Sequence, residues 1–110
     1  MVREEQVSQV ILEEFNNFLV RDLEMPRDCL VTVTKVEVTN DLKQAFIFLS
    51  ILPINRVGTV LEFMNHHLGE AAMYLSKHLK LRIVPKLNLK IDDSELKYRK
   101  VDRELEKIKE

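Results

Sequence analysis

Leu81–Ile91 reads LRIVPKLNLKI. Leu81, Ile83, Leu87, Leu89 and Ile91 alternate with Arg82, Val84, Lys86, Asn88 and Lys90. A period of two predicts a β-strand over 81–91 with one apolar and one polar face. The polar face is basic. Between Ala71 and Ile91 lie Lys77, Lys80, Arg82, Lys86 and Lys90 and no Asp or Glu, a net of +5, while residues 1–70 carry a net of −5 and residues 92–110 a net of −1. The total of −1 thus hides a concentrated positive region, the pattern a polyanion-binding surface requires.

Upstream of that strand the periodicity changes. Val7, Val10, Ile11, Phe15, Phe18 and Leu19 recur at helical steps, which predicts an amphipathic first helix ending before Pro26. Cys29–Val38 is β-branched, with Val31 and Val33 in one parity and Val36 and Val38 in the other. That switch predicts a bulge near Thr34–Lys35. Thr39, Asn40 and Asp41 supply turn chemistry, and Gln44–Leu52 is apolar in both parities, the pattern of a strand covered on both sides. Pro53 breaks it. Val57, Val60, Leu61, Met64 and Leu68 then mark a second helix, begun at Asn55 or, by its capping-box spacing, at Thr59. A third helix, Glu70–Leu79, carries a stripe of Ala72, Leu75 and Leu79, and Gly69 before it predicts a kink or break. The order is α-β-β-α-α-β, a two-layer α+β domain with helices on one face of a small sheet and Arg82, Lys86 and Lys90 on the face left in water. After Ile91, Asp93–Ser94 caps a last helix whose apolar line is only Tyr98, Val101, Leu105 and Ile108. The expected division is therefore a core of residues 1–93 and a charged, marginal C-terminal helix over 94–110.

Composition sets further bounds. A chain of 110 residues fits one domain with one modest core. Its longest apolar run, Ala45–Leu49, is far short of the roughly 20 residues that span a bilayer. MVREEQVSQ lacks the apolar segment of a secretory signal. The single cysteine, Cys29, cannot form an internal disulfide and reads as a small buried thiol. These features suit a protein of the reducing cytoplasm, with no membrane association.

Three segments resemble the ribosome-binding factor A family: Met25-Pro26-Arg27, Val31–Leu42 (VTVTKVEVTNDL), and Leu79–Leu87 (LKLRIVPKL) followed by Asp92-Asp93-Ser94. The likeness runs over essentially the whole chain, and the L-R-x-x-P-x-L…D-x-S block is its most specific part. It implies a KH-like domain of the second topology with a three-stranded sheet, the same element order read above. It also implies a cytoplasmic assembly and cold-adaptation factor, a monomer that binds the free small (30S) ribosomal subunit and its 16S ribosomal RNA during late maturation and rRNA processing. Where the family has an Ala-x-Gly interhelical kink this chain has His67-Leu68-Gly69, so Gly69 is the expected structural kink. The family's usual arginine three residues later is Ala72 here, which implies weaker electrostatics. With only Gly58 and Gly69, no Gly-x-x-Gly loop can clamp an RNA backbone as ordinary KH domains do.

The candidate RNA-binding residues are therefore Lys77, Lys80, Arg82, Lys86 and Lys90, with His78 as a further stacking or hydrogen-bonding group. Single lysines are ordinary solvated residues; four lysines and an arginine with no interspersed acid are the expected polyanion site. His66–His67 point about 100° apart on a helix, and no Cys or Asp at helical spacing completes a ligand set, so no metal or other cofactor is expected. Phe15, Phe18, Phe46, Phe48 and Phe63 fall inside elements and are expected in the core, leaving Tyr74 and Tyr98 as the exposed aromatics. No nucleophile elbow, phosphate loop, dinucleotide fingerprint or zinc-protease motif occurs, and no enzyme is expected. The rival reading is a protein–protein module in which the acidic N-terminal region and the charged last helix bind a partner and the basic strand is merely solvated.

Overall fold

The computed structural model describes residues 4–79 and 83–92. Helix α1 spans Glu4–Arg21, with Glu4 and Glu5 in its first turn and Arg21 in its last, each complementing the helix dipole. Val7, Ile11, Phe15, Phe18 and Leu19 are its buried stripe. Val10, expected in that stripe, lies one position off it and is 42% exposed.

Strands β1 (Leu30–Val38) and β2 (Gln44–Leu52) pair antiparallel. Their register shifts between Val33 and Lys35, the bulge that the parity switch anticipated. It lets Val33 and Val36, three residues apart, both face the core. The connecting turn is closed by side chains. Thr39 Oγ1 donates to Asp41 Oδ1 at 2.6 Å, and Asp41 Oδ1 also accepts the Lys43 amide at 3.0 Å. These bonds hold the Asp41 carboxyl below its ordinary value of 3.8.

A single 3₁₀ turn (Ile54–Arg56) leads into α2 (Val57–His66), then α3 (Leu68–His78) and β3 (Lys86–Ile91). The last strand joins β2 in parallel, Gln44 opposite Lys86 through Leu49 opposite Ile91, in a sheet ordered β1-β2-β3. Parallel pairing requires a crossover, and α2 and α3 supply it. Ala45, Ile47, Leu49 and Ile51 of β2 and Leu87 of β3 share one core cluster with Phe15, Val60, Met64 and Leu75 of the helices. The helices therefore cover one sheet face, in the α-β-β-α-α-β order expected.

Several expectations need correction. The last strand begins at Lys86, not at residue 81, because Pro85 has no amide to give the ladder and the Lys86 amide makes its first contact, to the Lys43 carbonyl at 2.8 Å. Before the proline the alternation fails: Ile83 is 79% exposed and Val84 packs against the core. The interhelical break falls at His67 (φ −102°, ψ 12°), whose amide donates to the Met64 carbonyl at 3.1 Å. Gly69 sits in the first turn of α3 without a positive φ, and a Cβ there would meet nothing within 4 Å. The kink thus does not need glycine. α2 starts at neither candidate cap, having Arg56 as its N-cap residue with no side-chain cap bond. Cys29 is half-buried, not buried. Tyr98 and the expected helix over 94–110 lie outside the described residues.

Candidate nucleic-acid interface

The sheet face away from the helices is built by the alternate residues of three strands. β2 contributes Gln44, Phe46, Phe48 and Ser50. Its register neighbours are Lys35 and Glu37 on β1 and Lys86, Asn88 and Lys90 on β3. Two rows cross the sheet: Lys35–Phe48–Lys90 and Glu37–Phe46–Asn88. Adjacent strands lie roughly 4.8 Å apart, so each phenylalanine is flanked on both sides within side-chain reach. Phe46 and Phe48 are half-buried and belong to no part of the core cluster.

Lys35 Nζ lies 5.5 Å from the Phe48 ring centroid and 2.7 Å from Glu37 Oε1. The Glu37 hydrogen bond, reinforced by its charge, raises the Lys35 pKa. Lys86 and Lys90 are exposed and make no ion pair among the described residues. Asn88 Nδ2 donates to the Ala45 carbonyl at 3.3 Å, fixing the side chain beside Phe46. At the end of β3 the Asp92 amide donates to the Leu49 carbonyl at 2.8 Å, and Thr34 Oγ1, on the bulge of β1, donates to Asp92 Oδ2 at 2.6 Å. That clasp spans the middle strand and brings a carboxylate near Lys35.

The sequence-predicted cluster is divided between two layers. Lys86 and Lys90 stand on the open sheet face, whereas Lys77 and His78 are exposed on the last turn of α3, in the helix layer. Lys80 and Arg82 lie outside the described residues. His78 already has structural work. Its Nδ1–H donates to the Tyr74 carbonyl at 2.8 Å, and its ring stacks on Tyr74 at 3.9 Å and 19°. Tyr74 in turn packs on Phe18 at 5.4 Å. Burial raises the Tyr74 pKa, with the charges of Glu14 and Asp22 acting in the same direction. Of the paired histidines, His67 stacks on Phe63 at 4.5 Å and reaches Glu70 at 3.1 Å, while His66 is exposed.

The aromatic assignment is thus reversed for three residues. Tyr74, expected outside, is 9% exposed and in the core, while Phe46 and Phe48, expected inside, are half-buried on the sheet face that the described helices leave uncovered. The signal was present in β2, which is apolar in both parities although its three helices can cover only one face. Lys35 was missed because its partner, Phe48, is set by the bulge and not by sequence spacing.

A sequence model of a family described as ribosome-binding factor A matches residues 3–105. The chain is 33% identical over 95 residues to ribosome-binding factor A of Pseudomonas paraeruginosa, covering 84% of this chain and 74% of that protein. Its fold is similar to the crystal structure of ribosome-binding factor A from Thermus thermophilus, with a TM-score of 0.61 at 20% identity over 80% of this chain and 89% of that one. It is likewise similar to coordinates of the Thermus thermophilus factor fitted into a cryo-EM map of its complex with the 30S subunit, with a TM-score of 0.61 at 18% identity, covering 83% and 92% of the two chains. With the family pattern matched across almost the whole sequence, the chain belongs to the ribosome-binding factor A family.

Proposed function

We propose that this protein is a cytoplasmic, monomeric assembly factor that binds the free small ribosomal subunit and its 16S ribosomal RNA during late maturation and rRNA processing. The family membership over residues 3–105 carries the reading, supported by the Thermus relative described in complex with the 30S subunit. In this reading residues 1–93 are the KH-like RNA-binding domain, followed by the charged stretch 94–110. Lys86 and Lys90 contact phosphates from the sheet face, Lys77 with His78 from the helix layer, and Lys80 and Arg82 from the segment between α3 and β3. With no glycine loop to grip the backbone, affinity comes from these cations and from surface shape, a role of binding and not of catalysis.

Gradient fractionation of ribosomal particles tests it. The protein is expected with the small-subunit peak, bound less tightly as salt is raised. An equal distribution over large-subunit and assembled-ribosome peaks would overturn the assembly role.

A further inference from the structure

We infer that the open sheet face is a stacking platform for unpaired RNA bases, with Phe48 and Phe46 as the two stacking rings and Lys35 and Lys90 as phosphate anchors on either side of Phe48. The inference rests on the RNA-binding reading and gives it a recognition mode.

Four observations converge on this face. Both rings sit on the middle strand, half-buried and outside the core cluster. Each is the centre of a cross-sheet row, and the Phe48 row carries a lysine on each side. A base has a π-face and a phosphate nearby, so a ring flanked by cations suits a nucleotide better than it suits an apolar protein surface. A cation already occupies the Phe48 ring at 5.5 Å, which shows the ring's face is reachable from the solvent side. The ion pair that Lys35 makes there, with Glu37, is exposed, the two side chains being 60% and 53% exposed. Such a pair opens at little cost, freeing Lys35 for a phosphate.

Phe46 lies two residues from Phe48 on the same strand, about 7 Å along it. Two neighbouring bases, unstacked from each other, can therefore lie one on each ring. Asn88, beside Phe46, offers a side-chain amide at a base edge. The target is thus single-stranded RNA with splayed bases, because bases inside a duplex present no free face.

The test uses the full chain and an unstructured ten-nucleotide RNA of adenosines and uridines, followed by fluorescence anisotropy. Phe48→Leu and Phe46→Leu keep the apolar bulk and remove the π-face; each is expected to weaken binding roughly 5- to 100-fold. Glu37→Gln, which releases Lys35 and removes an acid from the face, is expected to strengthen it. In NMR titrations the ring protons of Phe46 and Phe48 should move upfield as RNA is added. Leucine variants with wild-type RNA affinity, in a protein that still sediments with small subunits, would overturn the platform and leave the assembly role standing. Stacking shifts in a protein that fails to sediment with subunits would do the reverse. Ring shifts driven by protein concentration alone would assign the face to a second copy. Ring contacts to Tyr98 or Leu105 in the free chain would assign it to the C-terminal segment. Either result would overturn the inference.

Discussion

Asn16 holds two backbone groups of an edge strand. Its Oδ1 accepts the Val33 amide at 2.9 Å and its Nδ2 donates to the Val33 carbonyl at 3.3 Å, where the bulge disrupts the ladder. Asn16→Ala leaves both groups without these partners and is expected to destabilise the fold by about 1–2 kcal/mol, since the site is only half-buried. Thermal unfolding would show this as a lower midpoint, by roughly 4–8 °C per kcal/mol. Gly69 should behave oppositely. Its φ is not positive and a Cβ there meets open space, so Gly69→Ala should stabilise by about 0.5–1 kcal/mol through helix propensity and a less free unfolded chain. An unchanged or lower melting midpoint would contradict the helical placement of this residue. Neither residue was assignable from sequence. Asn16 acts across 17 residues through tertiary register, and a glycine before a helix looks the same whether it is a hinge or a helical position.

Elements were legible where the pattern is local. The stripe of α1, the bulge of β1, the Thr39–Asp41 turn and the alternation of Lys86–Ile91 all follow from neighbours within a few residues. Legibility failed where a face depends on how many helices cover it, as for Phe46 and Phe48, and where Pro85 ended an alternation that continued in the letters alone. The basic strand itself yields a clear expectation. Lys86→Glu combined with Lys90→Glu should abolish small-subunit binding in co-sedimentation while leaving the circular dichroism spectrum intact. Both side chains are exposed, so the core loses nothing. Each lost phosphate contact should lower the salt slope by roughly 0.7–0.9. Wild-type affinity in the folded double mutant would remove β3 from the interface.

At the scale of the whole molecule, one core cluster joins the three helices and three strands of the described residues. Residues 92–110 carry 13 charged side chains against the line Tyr98, Val101, Leu105 and Ile108, a thin apolar stripe to set against an ordering entropy of roughly 1–2 kcal/mol per residue. A chain ending at Asp93 is expected to fold and melt within a few degrees of the full protein. Strong amide protection throughout 95–108 in the free protein would instead show a docked helix.

The mixed sheet also sets an order in time. β1 and β2 are hairpin neighbours and meet after a short loop closure, whereas β3 must wait for α2 and α3 before it can reach the far edge of β2. Leu87→Ala, in a β3 residue that is 6% exposed, should therefore accelerate unfolding and leave the folding rate nearly unchanged, while Ile47→Ala on β2 should slow folding. A nascent chain would carry a complete hairpin early, with Lys35 on it but without the two lysines of β3. On the proposed interface, the cross-sheet row of Lys35, Phe48 and Lys90 would be complete only once the last strand has joined β2.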